Sequence, residues 1–248
     1  DINNVKDKLT KYLHDNNKVL WGIVNNAGFA LAGNFEVIPL KYQKSLLDTI
    51  FVAPTVISKV FLPLLYGRKN INTLGKYVQN TCNGGRIVNI SSPSRGTLST
   101  SFVLYGASKI GLSYHTHCLR MELKPLFGIH CSVIEPGFFN TSMISNLPKF
   151  GNTFKKECNK DVWELYKCDH FYNNDLPSSV DIILHKLCNN NIDYVVNDII
   201  HALTSKYPKN EYFTKWGLWR IYSALVSLCP LSWVEYMESR IILARFNP

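Results

Sequence analysis

Three short apolar stretches, separated by long segments with helical spacing, constrain the fold of this chain most. Residues 19–24 (VLWGIV), 86–92 (RIVNISS) and 129–136 (IHCSVIEP) are typical of strands buried on both faces of a parallel sheet. Between them, residues 40–66 and 103–127 have helical periodicity. Because strand and helix alternate, the sequence predicts an α/β sheet with right-handed crossovers.

Beyond Gly137 the pattern becomes helical. We predict helices over 159–168, 177–188, 193–206 and 214–245, and a short amphipathic helix near the start, over 5–14. Residues 73–85 and 188–191 are rich in Gly, Asn and Thr and are predicted to be solvated loops. The chain therefore divides into a sheet-forming part, residues 1–150, and a helical part, residues 151–248.

Composition excludes several classes of protein. With 248 residues, 46% of them hydrophobic, the chain can bury a sizeable core. Its net charge of +9 suits nucleic acid, an anionic cofactor or an acidic membrane surface, but the basic residues are dispersed, which argues against nucleic acid. Seven cysteines without a Cys-x-x-Cys pair indicate reduced thiols. His115 and His117 diverge on a helix, so we expect no metal site.

The residues that follow the three predicted strands point to a ligand site. They are Asn25-Asn26-Ala27-Gly28, then Ser91-Ser92, and then Pro136-Gly137 with Thr141 shortly after. In open parallel sheets, ligands bind beyond the carboxyl ends of the strands. Small residues there let the backbone approach a ligand, and hydroxyl groups supply hydrogen bonds. Glu135, just before Pro136, is more typical of a hydrogen-bond anchor than of a catalytic acid.

The segment YGASK, residues 105–109, adds a reactive pair. Tyr105 and Lys109 lie four residues apart, so on a helix they share one face. A nearby cation favours the ionised phenol, and we therefore expect Lys109 to lower the pKa of Tyr105. Taken alone, the pair is also compatible with an ordinary amphipathic helix. Together with Ser92 it can converge on one carbonyl group.

These motifs resemble those of the short-chain dehydrogenase/reductase family. The family's NNAG matches residues 25–28, its serine matches Ser92 in GGRIVNISS, its Tyr-x-x-x-Lys matches Tyr105 and Lys109, and its PGxxxT matches Pro136, Gly137 and Thr141. The resemblance implies a Rossmann-type doubly wound parallel sheet with a helical C-terminal substrate cap. Residues 1–150 would then be a partial dinucleotide-binding core, and residues 151–248 would form the cap.

The resemblance also implies residue roles. Tyr105 would exchange a proton with the substrate oxygen, Ser92 would polarise that oxygen, and Lys109 would hold the nicotinamide ribose; these are the predicted catalytic residues. The cofactor would be NAD or NADP, and the predicted cofactor-binding residues are Asn25, Ala27, Gly28, Tyr105, Lys109, Pro136, Gly137 and Thr141.

Within the family, the chain is most similar to the membrane-associated branch of retinol and hydroxysteroid dehydrogenases, with 3-hydroxybutyrate dehydrogenase as a near relative. This implies a lipophilic alcohol or ketone substrate, a location at the endoplasmic reticulum rather than the mitochondrion, and room for a homo-oligomer. A 3-hydroxy-acid dehydrogenase and a non-catalytic lipid- or protein-binding homologue are the alternatives. Residues 215–237 mix Trp and Tyr with basic residues, which is typical of a segment at a membrane surface.

The chain departs from the family pattern at two places. The family's glycine-rich turn would have to precede Asp1, together with its first strands, so we expect a fragment of a longer protein in which strand 19–24 has an open edge. No targeting segment is evident, and no apolar run stands out as long enough to span a bilayer. Ile50 occupies the position where the family has an asparagine in its proton relay.

Overall fold

A four-stranded parallel sheet lies at the centre of the protein. The computed structural model describes residues 1–65, 84–93, 98–214, 225–226 and 228–246. The strands are β1 (Gly22–Asn25), β2 (Arg86–Ile90), β3 (His130–Glu135) and β4 (Glu211–Phe213), and their spatial order follows the chain. All neighbouring strands are parallel. The three strands predicted from the apolar runs are thereby confirmed.

The fourth strand corrects the sequence prediction, which had only helices after Gly137. Glu211–Phe213 pairs with the end of β3, where Glu135 lies opposite Phe213. The strand has only three residues, too few for a polar–apolar alternation to be recognised in the sequence. Its pairing with β3 is a long-range contact. Because of this contact the segment is a strand, although it lies in the helical half of the chain. The division at residue 150 stays a prediction.

Helices cover both faces of the sheet. On one face, α3 (Ala53–Leu65) and α4 (Val103–Phe127) pack on the sheet and enclose Ile87 and Cys131. On the other face, α10 (Asp193–Thr204) packs on Val88, Ile90 and Ile134. Successive residues of a strand point to opposite faces, so β2 needs apolar residues in a continuous run to serve both. This is the predicted doubly wound arrangement.

The helical segment before β2 is interrupted in its middle. It consists of α2 (Leu40–Leu47), a π-helical turn (Asp48–Val52) and α3, and it follows an N-terminal helix, α1 (Ile2–Asp15). Contrary to the sequence expectation, the combined helix Leu40–Leu65 is long and apolar enough to cross a membrane by length and composition. Leu46, Ile50 and Phe61 are buried inside the protein. However, only 28% of the apolar stretch is buried, and one such helix is weak evidence for a span.

The C-terminal part is mainly helical, as predicted. Its helices are α5 (Ser142–Ser145), α6 (Phe150–Glu157), α7 (Lys160–Leu165), α8 (Cys168–His170), α9 (Leu176–Ile182), α10 and α11 (Leu231–Phe246). Phe154, Trp163 and Tyr172 form an aromatic cluster among α6 to α9. Tyr172 donates a hydrogen bond to the backbone oxygen of Ala32 at 2.8 Å, which ties this helical region to the loop after β1. Most of the loop predicted at 73–85 lies outside the described residues.

The environment of His130, at the start of β3, leads us to expect a free energy of unfolding that depends on pH. Burial, with Arg86 and Lys124 nearby, lowers the pKa of His130 to about 4. In the unfolded chain the pKa of a histidine is about 6.5. Between pH 4 and pH 6.5 the unfolded chain therefore binds more protons at this residue than the folded protein does. We expect the free energy of unfolding to fall as the pH drops from 6.5 to 4.

Urea denaturation of wild type and His130→Gln across this pH range tests the prediction. The wild-type curve should be steeper than that of His130→Gln. Parallel pH profiles for wild type and His130→Gln would contradict the assignment.

Candidate active site

The carboxyl ends of β1, β2 and β3 and the first turns of α4 form the candidate site. A short 3₁₀ turn, Thr100–Phe102, leads into α4, which runs for 25 residues and ends at Gly128 with a φ of 67°, in the left-handed region. Glycine adopts this conformation without strain and ends helices for that reason. The predicted helix over 103–127 is confirmed, and its first turns carry Tyr105 and Lys109 to the sheet edge.

The three predicted catalytic residues come together. Tyr105 and Ser92 share a side-chain hydrogen bond. The Lys109 ammonium nitrogen lies 5.8 Å from the centroid of the Tyr105 ring and donates to the backbone oxygen of Ile90 at 2.8 Å. Residues from a strand end and a helix thus meet as the YGASK spacing and the Ser92 position predict.

The electrostatics of this group differ from the sequence expectation. Burial raises the pKa of Tyr105, and the hydrogen bond with Ser92 only partly opposes this effect. Burial also lowers the pKa of Lys109 to about 8. The expected lowering of the Tyr105 pKa by Lys109 is therefore not observed. The physical reason is that the phenol is removed from water while the ammonium is directed at the Ile90 carbonyl.

Buried hydroxyl groups form a chain of hydrogen bonds that ends at the backbone of Lys109. Ser91 donates to the Lys109 backbone oxygen at 2.9 Å, and Ser113 donates to the Ser91 hydroxyl at 2.7 Å. The Glu135 carboxylate lies 3.5 Å from the Ser113 hydroxyl. Glu135 is buried, and its role as a hydrogen-bond anchor stays a prediction. Sequence reasoning missed Ser113, although its position four residues after Lys109 on α4 was a usable signal.

The Asn25 side chain makes its hydrogen bonds inside the protein. Its side-chain nitrogen donates to Asn89 Oδ1 at 2.7 Å, and Asn89 donates to Thr116 Oγ1 at 2.8 Å. These contacts link the ends of β1 and β2 to α4. Asn25 therefore fixes the strand end that presents Ala27 and Gly28, and its predicted contact with a cofactor stays a prediction.

The other predicted cofactor residues lie along the same edge. Ala27 is exposed, and Gly28, Pro136 and Gly137 are half-buried. Thr141 is exposed at the start of α5, where its hydroxyl makes no capping hydrogen bond. Small residues and a free hydroxyl group suit close contact with a planar ligand ring and its amide. The arrangement fits the nicotinamide half of a dinucleotide.

Ile50 lies beside this group. A β-carbon built on Gly28 would be 3.7 Å from both Ile50 Cγ1 and Lys109 Nζ, so these two side chains border the same small space. Ile50 is fully buried in the π-helical turn. π-Helical turns inside α-helices are frequent at functional sites. An apolar side chain therefore stands next to the Lys109 ammonium.

A pocket opens beside Tyr105 that the sequence did not indicate. Its cavity volume is about 20 Å³, room for one or two water molecules. Loop residues after β1, the start of α2 and the start of α4 line it: Leu31, Gly33, Phe35, Ile38, Gln43, Leu46, Val103, Leu104 and Tyr105. The lining is mainly apolar, which suits a lipophilic ligand.

The two histidines of α4 diverge as predicted. His115 packs edge-on against Phe51 with ring centroids 6.0 Å apart, whereas His117 pairs with Glu211 at 3.2 Å. Within the part of the chain that the structure describes, no group of three or more potential metal ligands is found.

Comparison with known proteins identifies the family of the chain. The sequence model of the family described as "short chain dehydrogenase" matches residues 2–151. The chain is 28% identical over 239 residues to 3beta-hydroxysteroid dehydrogenase dhs-16 of Caenorhabditis elegans, with 93% of this chain and 54% of that protein covered. It is 29% identical over 226 residues to retinol dehydrogenase 7 of Mus musculus, with 89% and 64% covered. The chain thus spans somewhat more than half the length of these relatives.

Among solved structures, a short-chain type dehydrogenase/reductase from Mycobacterium marinum is similar in fold. Its TM-score is 0.58 at 15% identity, and the match covers 92% of this chain and 71% of the other.

Proposed function

The chain belongs to the short-chain dehydrogenase family, and we propose that it contributes the catalytic group of a nicotinamide-dependent oxidoreductase. The proposed reaction interconverts a lipophilic alcohol, such as a hydroxysteroid or retinoid, and its carbonyl compound. One observation carries the proposal: Tyr105, hydrogen-bonded to Ser92, lies over the buried Lys109 ammonium and borders an apolar pocket.

The proposed roles follow from these contacts. Ser92 donates a hydrogen bond to the substrate oxygen and orients it, and the Tyr105 hydroxyl gives a proton to that oxygen during reduction or takes it during oxidation. Lys109 is proposed to offset part of the cost of forming the Tyr105 anion during the reaction, although burial raises the pKa of the phenol in the structure. A bound NAD or NADP would supply or accept the hydride. Ala27, Gly28, Pro136, Gly137 and Thr141 would hold its nicotinamide half, and Lys109 its ribose.

The apolar residues beside Tyr105 support a lipophilic substrate. Among the described residues that line the pocket, no Lys or Arg is present, although a 3-hydroxy acid would need a cation for its carboxylate. The names of two relatives, a hydroxysteroid and a retinol dehydrogenase, agree with this choice. A D-beta-hydroxybutyrate dehydrogenase of Mus musculus, 27% identical over 218 residues, keeps the 3-hydroxy-acid dehydrogenase as the alternative.

Dinucleotide binding separates an enzyme from a non-catalytic binding protein. We expect the full-length protein to bind NADH or NADPH stoichiometrically, measured by calorimetry, and to oxidise or reduce a steroid or retinoid in an absorbance assay at 340 nm, the usual wavelength for these cofactors. Tight binding of the lipophilic ligand without any dinucleotide binding would instead favour the binding protein.

Residues at the C-terminus support association with a membrane surface. Part of the predicted segment 215–237 lies outside the described residues, and α11 begins just after Pro230. Trp233, Tyr236, Met237 and Leu243 on this helix are exposed. Exposed aromatic and aliphatic side chains of this kind are common where a helix lies in a membrane interface. From the resemblance to retinol and hydroxysteroid dehydrogenases we propose an endoplasmic-reticulum membrane rather than a mitochondrial one, and we leave a homo-oligomer as a further proposal.

Removal of residues from Lys215 onward is expected to release the protein from membranes. Because the exposed apolar side chains of α11 are lost, the truncated protein should remain in the supernatant of a vesicle sedimentation assay, whereas the longer protein should pellet. Trp233→Ser/Tyr236→Ser is a milder variant that should show intermediate binding. A truncated protein that still pellets would contradict the proposal.

A further inference from the structure

Three consecutive residues at the end of β2 each contact α4. The Ile90 backbone oxygen accepts a hydrogen bond from the Lys109 ammonium at 2.8 Å. Ser92 shares a side-chain hydrogen bond with Tyr105. Between these two contacts, the Ser91 hydroxyl donates to the Lys109 backbone oxygen at 2.9 Å. The outer contacts use side chains of the proposed catalytic residues, whereas the middle contact reaches the helix backbone and does not depend on the charge of either side chain.

A second buried hydroxyl group orients the Ser91 side chain. A serine hydroxyl has a single proton to donate. Because Ser91 directs its proton at the Lys109 backbone oxygen, its own oxygen accepts the proton of Ser113, at 2.7 Å. The contact of Ser113 with the Glu135 carboxylate is longer, 3.5 Å. Ser91 and Ser113 are 4% and 2% exposed, and a hydrogen-bonding group left without its partner at this depth is costly.

The strand end at Ser91 is fixed to the rest of the sheet. The Ser91 backbone nitrogen donates to the backbone oxygen of Ile134 on β3 at 2.7 Å. The hydrogen bond from Ser91 to the Lys109 backbone therefore sets where the first turns of α4 lie relative to the sheet edge. The Tyr105 hydroxyl reaches Ser92 only in a narrow range of such positions, because hydrogen bonds weaken steeply with distance and angle.

We infer that Ser91 and Ser113 are positioning residues for the proposed reaction. Ser113 acts through Ser91, and Ser91 holds the first turns of α4 at the sheet edge so that the Tyr105 hydroxyl stays at Ser92. The inference rests on the proposed function, which supplies the reaction that this geometry serves.

A double-variant cycle tests whether Ser113 acts through Ser91. In the full-length protein, Ser113→Ala is expected to lower turnover about three- to tenfold, the usual effect of one hydrogen bond. The dissociation constant for the dinucleotide should change by less than about twofold. Ser91→Ala should lower turnover at least as much, and Ser113→Ala added to it should lower turnover by less than about twofold further. Losses that multiply in the double variant would overturn the inference.

Two more variants of α4 distinguish positioning from a general loss of stability. Ser113→Thr keeps the hydroxyl group and should retain at least about half of the wild-type turnover. Ser108→Ala also removes a buried hydroxyl, but one that donates within the helix, to the Leu104 backbone oxygen at 2.6 Å, and it should leave turnover unchanged. Thermal unfolding measures the stability of each variant. If Ser108→Ala lowers turnover as much as Ser113→Ala does at a similar loss of stability, the inference is wrong.

An NMR readout that needs no activity separates this inference from the proposed function. The resonance of the Tyr105 ζ-carbon reports hydrogen bonding of the phenol and is assigned by its loss in Tyr105→Phe. Ser92→Ala gives its position without the Ser92 hydrogen bond. Ser113→Ala should move the resonance toward that position, and Ser108→Ala should not. A resonance that moves in a protein without dinucleotide binding would overturn the proposed oxidoreductase and keep the positioning role, whereas an unmoved resonance in an active enzyme would do the reverse.

Discussion

Replacement of Tyr105 by phenylalanine in the full-length protein is expected to lower turnover by roughly 10²–10⁴, the usual worth of one general acid–base group. The substitution removes the hydroxyl that is hydrogen-bonded to Ser92 and leaves the ring over Lys109. Because the shape of the site hardly changes, the dissociation constant for the dinucleotide should stay within about twofold of wild type. Steady-state kinetics and calorimetry measure the two quantities.

Controls for Tyr105→Phe come from the same helix. Lys109→Ala should lower turnover and weaken dinucleotide binding, since Lys109 is proposed to act on the Tyr105 phenol and to hold the nicotinamide ribose. Tyr114→Phe removes a hydroxyl from an exposed tyrosine of α4 and should change neither. If Tyr105→Phe keeps even a tenth of the wild-type turnover, another group transfers the proton and the assignment of Tyr105 is wrong.

Replacement of Ile50 by asparagine is expected to raise turnover of the full-length protein, by at least tenfold. Ile50 borders the same small space as the Lys109 ammonium. The family resemblance implies an amide at this position that helps to carry protons between the lysine and solvent. An apolar side chain there should impair proton transfer by up to roughly 10²–10⁴ while the geometry for hydride transfer is unaffected.

The size of the increase in turnover depends on whether the new asparagine amide forms hydrogen bonds. A buried amide without hydrogen bonds would cost about 1–3 kcal/mol of stability, which urea denaturation would reveal. Ile50→Val is the matched control, because it changes volume without adding a polar group and should not raise turnover. In a folded Ile50→Asn protein, turnover equal to or below wild type, with an unchanged Michaelis constant for cofactor, would show that protons leave by another route.

The sequence by itself determined the local features of the site. The apolar runs at 19–24, 86–92 and 129–136 identified three strands because strands buried on both faces need uninterrupted apolar residues. Helical spacing placed Tyr105 and Lys109 on one face of α4. Strand ends of a parallel sheet share one edge, and this brought Ser92 to the same place.

Only the tertiary structure decided the features that depend on contacts between distant segments. β4 is a strand because β3 offers it hydrogen bonds, and three residues carry too weak a pattern to show this in advance. The pKa of Tyr105 is raised rather than lowered because the phenol is buried. Burial depends on every neighbour that excludes water, whereas the sequence spacing identifies Lys109 as a neighbour and no other residue. The position of the Gln43 side chain also depends on tertiary contacts. Its two hydrogen bonds to the loop after β1 and its place in the Tyr105 pocket exist only once α2, that loop and α4 have packed together.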